Sequence, residues 1–201
     1  MRVIVVGTGT IGTAVAEVLR ESRHEVVTVS RTAGDFRADV TDRASLEALF
    51  GRIGEFDAVA SAAGDVFPAP LASSTDEQWA QSLGSKGMGQ IDLVRGALPH
   101  IADGGSFTLV SGVLGDEVNP AMTIGATVNG MVEGFVRAAA TELPRGIRIN
   151  CVSPTVLTES RAFHPYFPGF VPVPARDVAL AYLRAISNPY NGRILRLHRV
   201  S

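Results

Sequence analysis

Val3-Ile4-Val5-Val6-Gly7-Thr8-Gly9-Thr10-Ile11-Gly12 opens the chain, and its reading decides the fold. Four consecutive aliphatic residues without polar alternation describe a strand covered on both faces. Three glycines at G-x-G-x-x-G spacing follow. Ile11, Val15, Val18 and Leu19 then recur at i, i+4, i+7 and i+8, one face of a helix. In a strand–turn–helix context Gly7 allows the tight turn, Gly9 lets backbone approach a diphosphate, and Gly12 lets the helix lie close to its strand. The free N–H groups and positive end of that helix attract phosphate, with Thr8, Thr10 and Ile11 completing the cradle. An ordinary strand–helix turn is the competing reading of the pattern by itself.

Outward from this turn, short apolar runs alternate with longer stretches of helical period. Val26–Val29, Asp57–Ala60, Phe107–Val110, Ile147–Val152 and Ile194–Leu197 read as further strands. Helices are expected after Asp42 as cap, over Ser85–Ile101, from Val128 to Leu143 before Pro144 and Gly146, and after Asp177 as cap. Repeated strand–helix alternation predicts one α/β domain over residues 1–201. Its architecture is a Rossmann fold, a doubly wound and mostly parallel sheet of about seven strands with helices on both faces. Residues 154–175 stay irregular. With Phe163, Tyr166, Phe167 and Phe170 among several prolines, they read as a substrate lid or as a loop packed on the core.

Composition excludes several classes. The 201 residues hold 18 Lys+Arg against 20 Asp+Glu, which leaves no basic excess for a nucleic-acid partner. Cys151 is the single cysteine, so no internal disulfide forms, and His24, His100 and His198 show no metal-ligand spacing. The apolar run after Met1 is too short for a signal core or a membrane span, so a cytoplasmic protein without a membrane partner is expected. Of the 18 basic residues 17 are arginine, and the only lysine is Lys86.

The second strand ends in Val29-Ser30-Arg31-Thr32, without the acid that usually holds a ribose 2′-hydroxyl. Arg31 can pair with a 2′-phosphate through its planar fork, so NADP(H) is favoured over NAD(H). The missing acid also counts against an S-adenosylmethionine methyltransferase.

With these residues placed, the whole chain resembles the short-chain dehydrogenase/reductase family. Asp39-Val40 resembles the segment beside the adenine, and Ser61-Ala62-Ala63-Gly64 is similar to the central Asn-Asn-Ala-Gly motif. Gly146–Pro154, followed by Thr155 and Val156, is similar to the late strand leading to the nicotinamide. The resemblance implies a nicotinamide cofactor and a homodimer or homotetramer. The catalytic pattern departs from it. Family members use Tyr-x-x-x-Lys at the start of the long helix, and the register puts Gly125 at the tyrosine and Asn129 at the lysine. All three tyrosines, Tyr166, Tyr182 and Tyr190, lie downstream. Ser111 falls in the serine region, one position before Gly112 at the family spacing. Lys86 stands where the family has an active-site Asn.

Ser111 and Lys86 are therefore the expected catalytic residues. Lys86 also serves the cofactor ribose, with desolvation lowering its pKa enough for it to donate a proton. His164 and Tyr166 are weaker candidates for that proton. The expected function is an NADP(H)-dependent oxidoreductase for a small carbonyl or alcohol substrate. The alternatives are an NADP(H)-binding sensor or interaction protein without useful turnover, and a scaffold with no cofactor.

Overall fold

The structure is a computed structural model and describes residues 1–198. Seven strands form one all-parallel sheet: β1 Arg2–Val6, β2 Glu25–Ser30, β3 Phe36–Arg37, β4 Phe56–Ser61, β5 Ile101–Val110, β6 Arg148–Pro154 and β7 Ile194–Leu197. Their spatial order is β3-β2-β1-β4-β5-β6-β7, so the chain reverses its direction of winding between β1 and β4. Open α/β sheets bind ligands in the crevice at such a reversal, outside the carboxyl ends of the strands.

Among the described residues there are six α-helices, α1 Thr10–Glu21, α2 Arg43–Ile53, α3 Asp76–Ser82, α4 Gly89–Ala97, α5 Thr123–Ala139 and α6 Ala175–Ser187, of which α3 packs on α5 and the other five cover the sheet. Helices α1 and α6 share one face, where Val15, Val18 and Leu19 meet Val178, Tyr182 and Ile186 over Val3 and Val5. Helices α2, α4 and α5 cover the other, with Leu46, Leu93 and Val132 packed toward Ile4, Phe107 and Ile149. Val3, Ile4 and Val5 are fully buried, as an uninterrupted apolar strand requires when both of its faces are covered.

Several expected boundaries move. The Ser85–Ile101 helix begins earlier, at Asp76, behind a Thr75–Gln78 capping box, passes through a π-helical turn at Leu83–Met88, and stops at Ala97. Ile101 belongs instead to β5, which absorbs the Gly104-Gly105 turn as a register shift against β4. Asp42 does cap α2, accepting from the Ala44 and Ser45 N–H groups at 3.0 and 3.3 Å. Asp177 does not cap α6: it lies in the first turn, and Pro174 holds the cap position. The short edge strand β3 has no apolar run in the sequence, and its pairing with Val29 and Ser30 follows from tertiary contact.

Between β6 and α6, residues 155–174 form a closed loop. Leu157 bridges Val173, a 3₁₀ turn spans Arg161–Tyr166, and the Glu159 carboxylate accepts from the Ala175 N–H at the start of α6. Among the described residues no helix is long and apolar enough to cross a membrane.

Candidate functional site

The glycine turn joins β1 to α1. Gly7 has φ +103°, and a Cβ there would lie 2.7 Å from the Ala62 carbonyl. A Cβ on Gly12 would lie 1.8 Å from the Gly7 carbonyl oxygen. Both glycines are thus demanded by backbone approach inside the fold. Gly9 is different, because a Cβ there would meet nothing within 4 Å. Nothing in the protein requires a glycine at that position, whereas a ligand lying against the turn would. Gly9 is also the N-cap of α1 yet supplies no side-chain cap, leaving the first helical N–H groups free for an anion.

At the carboxyl ends of β4, β5 and β6 lies a cavity of about 220 Å³. Lys86, Ser111, Gly112, Asn129, Thr155 and Phe163 are among its lining residues, and Ile11 connects it to the glycine turn. Lys86 sits in the π-helical turn, a local widening of a helix that recurs at functional sites. The turn frees the Lys86 carbonyl, which accepts from the buried Gln90 amide at 2.9 Å. The same side chain pairs both ways with Val110 and so fastens the turn to the end of β5. Gly64, with φ +120°, packs from the other side, where a Cβ would lie 2.6 Å from Lys86 Cα. The Lys86 ammonium donates to the Ser111 carbonyl at 3.1 Å, and burial lowers its pKa from 10.5 to about 8.

The two expected catalytic residues meet in an arrangement that the sequence does not reveal. Ser111 presents its carbonyl to Lys86, while its hydroxyl turns away and donates to Glu133 Oε1 at 2.9 Å. Glu133 on α5 is buried and held by Arg137 at 2.8 Å, with Arg196 of β7 at 3.5 Å. No spacing in the sequence marks Glu133, which sits one helical turn beyond Asn129 and reaches Ser111 only because α5 packs against the end of β5. The next residue, Gly112, faces Asn129, whose Nδ2 donates to the Gly112 carbonyl at 3.1 Å. Gly125 could not carry a large side chain without rearrangement, since a Cβ would lie 2.9 Å from Leu114 and 3.2 Å from Val66. Apolar groups fill the space beside it.

Two orphaned polar atoms fit a dinucleotide. Asn129 Oδ1 and Thr155 Oγ1 are buried without a partner, and both residues line the cavity. Arg31 is exposed at the end of β2, 3.7 Å from Asp65. Ser30 is less available, because its hydroxyl closes a local turn with Ala33. Thr32 is exposed beside it. Asp39 accepts from the Thr41 N–H and hydroxyl, which hold its pKa below the ordinary value, and Val40 packs on α4 at Gly89. Ser61 is buried, with Ala62, Ala63 and Gly64 turning beside Gly7 and Lys86. Pro154 and Val156 flank Thr155 in the cavity wall. His164 is tied to the Leu157 carbonyl at 2.9 Å, and Tyr166 is exposed.

The sequence profile of the Enoyl-(Acyl carrier protein) reductase family matches residues 6–170. L-fucose dehydrogenase from Rattus norvegicus is 31% identical over 176 residues, covering 76% of this chain and 65% of its own length. Oxidoreductase asL5 from Sarocladium schorii is 31% identical over 131 residues, covering 61% and 53%. The chain therefore spans about three-fifths of the length of the curated relatives it matches. Among solved structures, the protein lin1944 from Listeria innocua superposes with TM-score 0.94 at 39% identity over 98% of both chains. A small-chain dehydrogenase in complex with NADPH gives 0.89 at 26% identity, over 98% of this chain and 96% of its own.

Proposed function

Because the chain belongs to the short-chain dehydrogenase/reductase family, we propose that it is an NADP(H)-dependent oxidoreductase acting on a small carbonyl or alcohol, with Lys86 in the role of proton donor. The observation that carries this reading is the chain's only lysine, anchored in the cavity beside the glycine turn with its pKa lowered to about 8. A general acid works best when its pKa is near the working pH.

When bound, the nicotinamide nucleotide supplies the hydride. Gly7, Thr8, Gly9, Thr10, Ile11 and Gly12 cradle its diphosphate. Arg31 and Thr32 receive the 2′-phosphate, presented by the turn that the Ser30 hydroxyl closes with Ala33, and Asp39 and Val40 flank the adenine. Ser61, Ala62, Ala63 and Gly64 form the floor, while Asn129, Pro154, Thr155 and Val156 line the nicotinamide half. The NADPH complex of the similar small-chain dehydrogenase supports the choice of phosphate. Ser111 positions Lys86 through its carbonyl, and the ammonium gives a proton to the substrate oxygen. Phe163 and Phe167, on the loop of residues 154–175, exclude water as a lid. A cytoplasmic homodimer or homotetramer completes the reading.

NADPH oxidation across a panel of small aldehydes and ketones, with NADPH fluorescence titration alongside, tests it. Turnover is expected to fall at least tenfold in Lys86→Met while the NADPH Kd stays within a few-fold. The filled space at Gly125 favours the second reading, a binding protein without turnover. Tight NADPH binding with no turnover of any carbonyl would establish that reading instead.

A further inference from the structure

We propose that the cavity is a carboxylate site whose natural occupant is a 2-oxo or 2-hydroxy acid of a few carbons, held by the Lys86 ammonium. The inference rests on the cavity being the substrate site of the proposed oxidoreductase, and it names the substrate class.

Lys86 is the only charged side chain lining the cavity among the described residues. The titratable groups packed around it provide no counter-charge. Cys151 on β6 is buried with its thiol pushed up to about 12, so it stays neutral. Glu133 on α5 lies behind Ser111 and is already matched by Arg137 and Arg196. Asp65, after β4, is exposed and faces Arg31. Tyr182 on α6 is buried with its pKa raised well above the usual value and donates its hydroxyl to the Ser61 carbonyl. A half-buried ammonium whose one partner is a neutral carbonyl is incompletely compensated, and an anionic ligand supplies the missing counter-charge.

The count of donors narrows the class. An ammonium has three N–H groups, and the Ser111 carbonyl takes one of them. Two remain for the cavity. A carboxylate oxygen and the adjacent 2-oxo or 2-hydroxy oxygen are vicinal acceptors that take both at once, whereas an isolated ketone accepts through one oxygen. Val113, Leu114, Leu157, Phe163 and Phe167 offer the acid's tail an apolar wall. The nicotinamide half of the cofactor shares this cavity of about 220 Å³ through Asn129, Thr155 and Val156, which leaves room for a short tail and none for a long acyl chain.

Calorimetric titration and thermal shift with 2-oxobutanoate, 2-hydroxybutanoate, butanoate and butanone test the site on the full chain, with and without NADPH. The 2-oxo and 2-hydroxy acids are expected to bind at least about tenfold more tightly than butanone, with butanoate between them. That preference should vanish in Lys86→Met and in Lys86→Gln, whose cooperative melting without ligand reports an intact fold. In the wild type the preference should fall as pH rises from 7 to 9.5, because the ammonium is lost above about 8. Equal binding of butanone, an acid preference that survives in either variant, or no acid binding at millimolar concentration would overturn the proposal. Efficient turnover of neutral ketones with no preference for acids would also overturn it while leaving the oxidoreductase reading intact. Lys86-dependent acid binding without any NADPH oxidation would support the carboxylate site and count against hydride transfer.

Discussion

Alanine substitutions at Gly9 and Gly12 should separate what the fold needs from what the ligand needs. At Gly12 the new Cβ would lie 1.8 Å from the Gly7 carbonyl oxygen, so α1 must move more than an ångström off β1. Overlap with backbone inside a packed layer costs about 3 kcal/mol. In a chain of this size that lowers Tm by about 6–12 °C. At Gly9 the backbone is extended, with φ −75° and ψ −167°, which alanine adopts without strain, and its Cβ would meet nothing. Restricting the unfolded chain stabilises by about 0.4–1 kcal/mol, and losing a tolerated N-cap glycine costs a similar amount, so the net change stays within ~1 kcal/mol. Gly9→Ala should therefore melt within about 4 °C of wild type without ligand. With NADPH at a hundredfold excess over its Kd, the wild type gains about 2.7 kcal/mol. Each tenfold loss of affinity in Gly9→Ala removes ~1.4 kcal/mol of that gain. Differential scanning fluorimetry with and without NADPH reads both quantities. An unchanged NADPH shift in Gly9→Ala would refute the placement of the diphosphate against this turn, and a collapse of ligand-free Gly9→Ala would refute the separation of roles.

Lys86→Met should stabilise the protein near pH 7. The unfolded lysine titrates near 10.5 and the folded one near 8, so the unfolded state holds more protons between those values. Wild-type stability then rises through that window by ~3 kcal/mol, of which about 2 kcal/mol is reached by pH 9.5, and the advantage of Lys86→Met shrinks as it does so, measurable by urea denaturation at pH 7 and 9.5. Arg31→Ala should weaken NADPH by about 10–100-fold while changing NADH little, in a fluorescence titration of both nucleotides. Ser111→Ala removes the hydroxyl that donates to the buried Glu133 carboxylate and should cost about 1–3 kcal/mol in chemical denaturation. Cutting the His164 tie to Leu157 with His164→Ala should speed limited proteolysis within residues 158–172, leaving the sheet resistant.

The strand–glycine–helix opening, the strand–helix alternation and a mostly parallel sheet were legible because apolar periodicity and glycine spacing are local properties of the chain, whereas β3 and the start of α3 at Asp76 were not. Lys86 also stands out there, as the one lysine of the sequence. The division of Ser111, whose carbonyl holds Lys86 and whose hydroxyl serves Glu133, depends on strand and helix packing against each other, and no spacing encodes that. The same holds for the role of Gln90. In a linear reading it is one polar residue in a helix, yet its side chain closes the gap that a π-helical turn opens next to β5. Sequence by itself settled which residues must be small, apolar or charged, since those demands come from the backbone and from burial. Only the tertiary structure decided which way each polar group points, because that is set by the nearest unsatisfied partner across the fold.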